Sequence, residues 1–154
     1  MSTTYWETIS PTMHEIMRVF GKSQIAEHFY LAGGTALALQ IGHRRSIDLD
    51  FFSPDLDISS IAEGVSLASL TDIGLMKLDA LLARASRKDF HDLYAICQHM
   101  PLRSLLDVAQ VKFAHVRDFE AQAVRHLIYF ERAEQEAPVP LIEEVSWEHI
   151  KEYF

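Results

Sequence analysis

Apolar residues recur with helical spacing at Met13, Ile16, Met17 and Phe20, so residues 10–21 are expected to form a helix. Ser10 stands where an N-cap belongs, Pro11 takes the first helical position, and Gly21 closes the segment. The short apolar run Phe29-Tyr30-Leu31-Ala32, ending at Gly33-Gly34, reads as a buried strand. Residues 35–41 (TALALQI) are helical by propensity, with Gly42 as their stop. From Ser46 to Phe52 acidic and apolar residues alternate, which is the period of a strand. Ile47, Leu49 and Phe51 would then face the core, while Ser46, Asp48 and Asp50 share the other face. Residues 64–68 form a second short strand candidate.

The rest of the chain has helical periodicity. Thr71 would cap a helix to about Arg84 with Leu75, Leu78 and Leu82 as its stripe, and residues 88–99 put Phe90, Leu93, Tyr94 and Cys97 on one side. Residues 102–113 and 119–134 make two further amphipathic segments. Pro138-Val139-Pro140 reads as a linker, and Ser146-Trp147-Glu148 opens a last helix. Strands early and helices late define an α+β fold class.

Composition narrows the picture only modestly. A chain of 154 residues, 49% hydrophobic and 23% charged, is one domain or one with a small appendage. No apolar run approaches the roughly 20 residues that cross a bilayer, and the N-terminus lacks the basic and apolar regions of a secretory signal. The single cysteine, Cys97, excludes an internal disulfide and fits a reducing cytoplasm. The net charge of −8 argues against coating nucleic acid nonspecifically. Two local basic clusters, His43-Arg44-Arg45 and Arg84-x-x-Arg87-Lys88, could still serve one local polyanion.

The candidate chemistry lies in LAGGTALALQIGHRRSIDLDFF, residues 31–52. Asp48 and Asp50, at alternate positions of a strand, offer hard oxygen ligands for Mg²⁺; the plain alternative is two solvated acids on an edge strand. Gly33-Gly34-Thr35 leads into a helix N-terminus, whose free N–H groups and positive dipole end bind phosphate. Its alternative is a simple strand–helix turn. Lys77 and Arg84, seven apart on one helix, would project together away from the leucines, either toward phosphate or as a solvated basic edge. Asp89 and Asp92 open the next helix, where Lys88 can pair with Asp92 at i,i+4. The eight histidines have no partner ligands at metal-site spacing, and Cys97 falls on an apolar stripe.

Together, GGTALALQIGHRRSIDLDFF and DIGLMKLDALLARASRKDFHDLYAI resemble the AbiEii/AbiGii-type nucleotidyltransferase toxins of the DNA-polymerase-β-like superfamily. The resemblance spans residues 29–97 in two blocks, and Ser146-Trp147-Glu148 fits the family's C-terminal helix start. It implies a small nucleotidyltransferase-like mixed sheet with helices over residues 1–70, then a helical C-terminal region over 71–154. It further implies that Asp48, Asp50 and Lys77 are catalytic and that Asp48 and Asp50 hold the metal. Gly33, Gly34, Thr35, Ser46, Arg84, Lys88, Asp89 and Asp92 would bind nucleotide. The implied activity is Mg²⁺-dependent transfer of a nucleoside monophosphate from an NTP to an RNA hydroxyl, on tRNA. The protein would be a cytoplasmic toxin opposed by an antitoxin, with no membrane partner. Family members carry further strands, one bearing a third acid, where this chain has only Ser53 to Gly64. The core therefore reads as shortened after residue 53, and a catalytically degenerate binding or interaction module is the alternative.

Overall fold

The structure, a computed structural model, describes residues 3–53 and 58–154, with the backbone alone at 58–61. Asp55 and Asp57 lie outside the described residues. The chain divides into two compact units, Met1–Ile73 with Pro140–Glu143, and Gly74–Val139 with Glu144–Phe154.

In the first unit, Ser10 caps as its position predicts. Its hydroxyl oxygen accepts from the Met13 N–H at 3.2 Å, Pro11 follows, and helix α1 spans Pro11–Phe20. Strand β1 (Tyr30–Ala32) is buried at every residue and runs directly into helix α2 (Gly33–Ile41). The two glycines are thus the first helical residues instead of a turn before the helix. Gly42 ends α2 in the left-handed conformation, φ 70°. Strands β2 (Asp50–Phe52), β3 (Ile58–Ala62) and β4 (Val65–Ala68) complete a four-stranded mixed sheet of order β2-β1-β4-β3. β1 is antiparallel to β2 and parallel to β4, and β3 folds back antiparallel on β4. Strand β3 falls in the stretch after residue 53 that reads from sequence as shortened. It is joined to β4 by Glu63 and Gly64, both with positive φ (50° and 80°), the geometry of a two-residue hairpin turn.

The alternation over 46–52 does not survive as one strand. Only Asp50–Phe52 joins the sheet, Ser46 is 7% exposed, and Ile47 is 85% exposed. The hydroxyl of Ser46 finds a buried partner in Thr35 and its N–H donates to the Thr8 carbonyl at 2.9 Å, so both groups are paired where the residue turns inward. Ile47 is thereby turned out. The stretch read as a linker does not remain one beyond Val139. Arg45 N–H donates to the Pro140 carbonyl (2.9 Å), Ile142 N–H donates to the His43 carbonyl (3.1 Å), and Arg44 forms an antiparallel bridge with Leu141.

Helix α3 (Leu70–Ala83) contains the boundary between the units. Its cap is Ser69 and not Thr71: the Ser69 hydroxyl oxygen accepts from Asp72 N–H at 3.0 Å and donates to Asp72 Oδ2 at 2.8 Å. The second unit continues with α4 (Arg87–Cys97), α5 (Leu102–Lys112), α6 (Phe119–Leu127), α7 (Glu131–Glu134) and α8 (Trp147–Tyr153). The single helix expected over 119–134 is therefore two. Leu75, Leu78, Leu81, Phe90, Leu93 and Leu105 form the core of this unit, and Leu82 packs only partly against it. Phe90 is fully buried and meets Phe130 and Trp147 at ring separations of 5.1 and 5.7 Å, so this one side chain contributes about 1.5–3 kcal/mol of burial. Among the described residues, no helix is long and apolar enough to cross a membrane.

Candidate active site

The register of β1 against β2 sets the first cluster. Ala32 lies opposite Asp50, which brings the Asp50 side chain to the residue after Ala32. That residue is Gly33, with φ +66°, and a Cβ placed on it would sit 2.7 Å from Asp50 Oδ2. At Gly34 a Cβ would sit 2.1 Å from Arg44 Nη2. The missing side chains of the glycine pair therefore make room for two charged groups of the chain itself. Ala32 occupies the N-cap of α2 with no side-chain cap, so it does not compete for the first-turn N–H groups at the positive end of the helix.

Thr35 and Ser46 fasten this arrangement from behind. Thr35 is 1% exposed; its hydroxyl bonds the Asp48 carbonyl oxygen and lies 2.8 Å from Ser46 Oγ. A carbonyl can only accept, so the Thr35 proton is committed to Asp48. The first turn of α2 is thus tied to the backbone of the acid-bearing segment. Asp48 and Asp50 themselves are exposed. Mg²⁺ is commonly held by one or two carboxylates together with substrate phosphates, and the exposed Asp50 carboxylate at the uncapped start of α2 is a donor of that kind. Among the described residues, no group of three His, Cys, Asp or Glu side chains comes together to hold a metal.

The second cluster lies in the helical unit. Lys77 is 5% exposed, and its ammonium lies 3.0 Å from Asp89 Oδ1 and 2.7 Å from Asp92 Oδ2, with both carboxylates fully buried. Arg84 grips Asp89 through Nε (2.8 Å) and Nη2 (3.0 Å), and Ser86 Oγ donates to Asp89 Oδ2 at 2.5 Å. Burial alone would lower the pKa of Lys77, but the charges of Asp92 and Asp89 outweigh it and hold the pKa above the usual lysine value. Asp89 shows the converse: burial works to raise its pKa, and Arg84, Lys77 and Ser86 together bring it below the ordinary aspartate value.

Sequence reasoning had Lys77 projecting away from the leucines, either toward phosphate or as a solvated basic edge. It is instead the cation of a buried network, because two carboxylates at the start of α4 turn inward to meet it. Asp92, expected to pair with Lys88, ion-pairs with Lys77; Lys88 is exposed, and the Arg84 side chain is 48% exposed. Gly33, Gly34, Thr35, Ser46, Asp48 and Asp50 thus lie in the first unit, and Lys77, Arg84, Lys88, Asp89 and Asp92 in the second. Two participants were missed. Ser86 stands three residues before Asp89, a spacing that could have marked it, and Arg44 was visible only as part of a basic cluster.

A glycine-opened helix with the strand-borne Asp50 seated against it, and a buried Lys–Asp network in the helical unit, are thus the two charged clusters. Residues 15–66 and 52–153 match the model of the nucleotidyl transferase AbiEii toxin family of type IV toxin–antitoxin systems, and the chain belongs to that family. Membership implies, in general terms, a nucleotide substrate and an antitoxin partner, and nucleotidyltransferases generally use a divalent metal. An uncharacterized protein of Aquifex aeolicus (strain VF5) is 29% identical over 181 aligned positions, which span 84% of this chain and 86% of that protein. Since 84% of 154 residues is about 129, about 50 of those positions face gaps in this chain. The two family matches overlap at residues 52–66, the stretch that contains β3. No solved structure matches the chain.

Proposed function

We propose that this chain is a Mg²⁺-dependent nucleotidyltransferase that moves a nucleoside monophosphate from an NTP to an RNA hydroxyl, on tRNA, as the cytoplasmic toxin of a toxin–antitoxin or phage-defence system. The observation that carries the reading is the seating of the Asp50 carboxylate against Gly33 at the start of α2, in a chain of this family. In the reaction the acceptor hydroxyl oxygen forms a bond to the α-phosphorus, the bond from that phosphorus to the bridging oxygen breaks, and pyrophosphate leaves. The hydroxyl proton passes to a base or to water. Mg²⁺ on Asp48 and Asp50 would supply charge neutralisation at the phosphates. The N–H groups of Gly33, Gly34 and Thr35 receive phosphate oxygens, and Ser46 keeps Thr35 in place. Arg84 and Lys88 offer exposed cations to nucleotide or RNA. Lys77 serves catalysis as a positioning residue, fixing Asp89 and, through it, Arg84, while Asp92 anchors Lys77.

Incubation of the full chain with labelled NTPs, Mg²⁺ and total tRNA tests the proposal. Label should enter RNA with at least one NTP and be lost in Asp48→Ala. Absence of transfer with all four NTPs, or unaltered transfer by Asp48→Ala, would refute it. A second reading, a catalytically degenerate module on the same fold, is favoured by the about 50 relative positions that face gaps in this chain. It predicts no Mg²⁺–NTP binding by calorimetry and no growth arrest on overexpression.

A further inference from the structure

We infer that residues 5–8 are a strap that positions the acid-bearing segment against α2, with Thr8 as the positioning residue for Asp48. The inference rests on the nucleotidyltransferase reading above. Neither matched stretch, 15–66 or 52–153, includes these residues, so family membership supplies no role for them. Between α2 and β2, residues 42–49 form no helix and no strand of the sheet, so regular backbone pairing does not hold Asp48 in place. Its support comes from two neighbours.

One is the first turn of α2, where the Thr35 hydroxyl donates to the Asp48 carbonyl and pairs with Ser46 Oγ. The other is the strap. A single 3₁₀ turn, Trp6–Thr8, carries Thr8 inward to zero exposure. Thr8 Oγ1 donates to the Tyr5 carbonyl at 2.6 Å, and Thr8 N–H donates to the same oxygen at 3.1 Å. With the turn closed in this way, the Thr8 carbonyl accepts from Ser46 N–H at 2.9 Å. Ser46 is thus pinned between Thr8 and Thr35, two positions before Asp48. The strap is anchored in turn on the far end of α2. Tyr5 N–H donates to the Leu39 carbonyl at 2.9 Å, and the Tyr5 ring covers Gly42, where a Cβ would come within 2.6 Å of Cδ1. Trp6 stacks on His14 of α1 with ring centroids 4.0 Å apart. The bonds therefore run from the last turn of α2 through the strap to Ser46, and back to the first turn at Thr35. The Asp48 side chain is exposed, so its place is set by the backbone beneath it. A misplacement of about 1 Å in a reacting geometry can cost about a hundredfold in rate.

Amide hydrogen exchange of the full chain by NMR, with steady-state transfer over a Mg²⁺ titration, tests the strap. In Thr8→Val, which loses the hydroxyl and keeps the volume, the Ser46 amide should exchange about tenfold faster. The Mg²⁺ concentration for half-maximal transfer should rise about tenfold and kcat should fall, while KM for the RNA acceptor stays put. Thr8→Ser, which keeps the hydroxyl, should restore the exchange rate, the Mg²⁺ midpoint and kcat. Unchanged Ser46 exchange in Thr8→Val overturns the strap. Faster exchange with the Mg²⁺ midpoint and kcat of wild type overturns its positioning role and leaves the nucleotidyltransferase reading intact. Should Thr8→Val fail to fold, Tyr5→Ala, which strips the ring from Gly42, is read by the same measurements, and wild-type values throughout overturn the inference. A wild type that transfers no nucleotide overturns both readings.

Discussion

Replacing Lys77 with methionine tests the buried network directly. The substitution keeps a long, unbranched, helix-compatible side chain and removes one charge. Lys77 Nζ sits 3.0 Å from Asp89 and 2.7 Å from Asp92, whose side chains have no exposed surface. Deleting one partner of a buried ion pair costs about 3–5 kcal/mol, because the group left behind keeps its desolvation penalty. Asp89 retains Arg84 and Ser86, which places the expected cost toward the lower end, about 3 kcal/mol. Against a total stability of about 5–15 kcal/mol that is a large fraction. At about 2–4 °C per kcal/mol for a chain of this size, the melting midpoint should fall by about 6–12 °C.

The assay can be made specific to the helical unit. Trp147 packs on Phe90 at 5.7 Å within that unit's core, whereas Trp6 belongs to the other unit. In a Trp6→Phe background, fluorescence therefore follows Trp147, and urea midpoints of the two proteins give the difference. A double variant, Lys77→Met with Asp92→Asn, removes one of the two buried charges that Lys77 offsets and should recover part of the loss, since replacing both members of a buried pair is often close to neutral. A single variant within about 1 kcal/mol of wild type, or a double variant no better than the single, would refute the network as described.

Further outcomes follow from the same geometry. Asp89 has a depressed pKa in the folded chain, so its stabilisation is full above its unfolded value near pH 4 and is lost as the pH falls through the folded value. Urea midpoints read through Trp147 should therefore drop from pH 5 to pH 3, and drop less in Asp89→Asn. Lys77 has a raised pKa, so its share is full below about pH 10.4 and is lost only as the pH rises through the folded value. Gly33→Ala combines φ +66° with a Cβ 2.7 Å from Asp50 Oδ2. It should cost about 1–2 kcal/mol by thermal melting and lower transfer at least tenfold, the second effect marking displacement of Asp50. Ile47→Ser should leave stability within about 0.5 kcal/mol, whereas a strand-core isoleucine would cost several times that. Ser69→Ala should cost about 0.5–2 kcal/mol by the same urea assay, with Thr71→Ala nearly silent.

What was legible in the chain is what depends on neighbours in sequence. The cap at Ser10 and the stop at Gly42 follow from spacing and turn chemistry and both stand, and the strand read over 29–32 is found at 30–32. The cap of α3 was placed two residues late because Thr71 and Ser69 are both capping types, and only the reciprocal bonds of Ser69 with Asp72 distinguish them. Errors concentrate where a distant residue decides. Ser46 and Ile47 were assigned to faces by alternation, but Thr35 and Thr8 draw Ser46 inward. Lys77 looked like a surface lysine because its partners, Asp89 and Asp92, stand 12 and 15 positions on, across a helix break. The pairing of 43–45 with 140–142 joins positions nearly a hundred residues apart, which no local pattern could announce.

The glycine pair shows how far a motif can be right for an incomplete reason. Two glycines opening a helix suggest a bare backbone that a phosphate can approach, and α2 does begin at Gly33 with no side-chain cap. Yet the positions their side chains would have filled are already taken, by Asp50 at one residue and Arg44 at the next. Any larger side chain at either glycine would move a charged group before it obstructed a ligand. The demand for glycine here is therefore set first by where the chain holds its own acid and its own cation. Substitution at either glycine therefore tests the charged group it displaces before it tests the approach of any ligand.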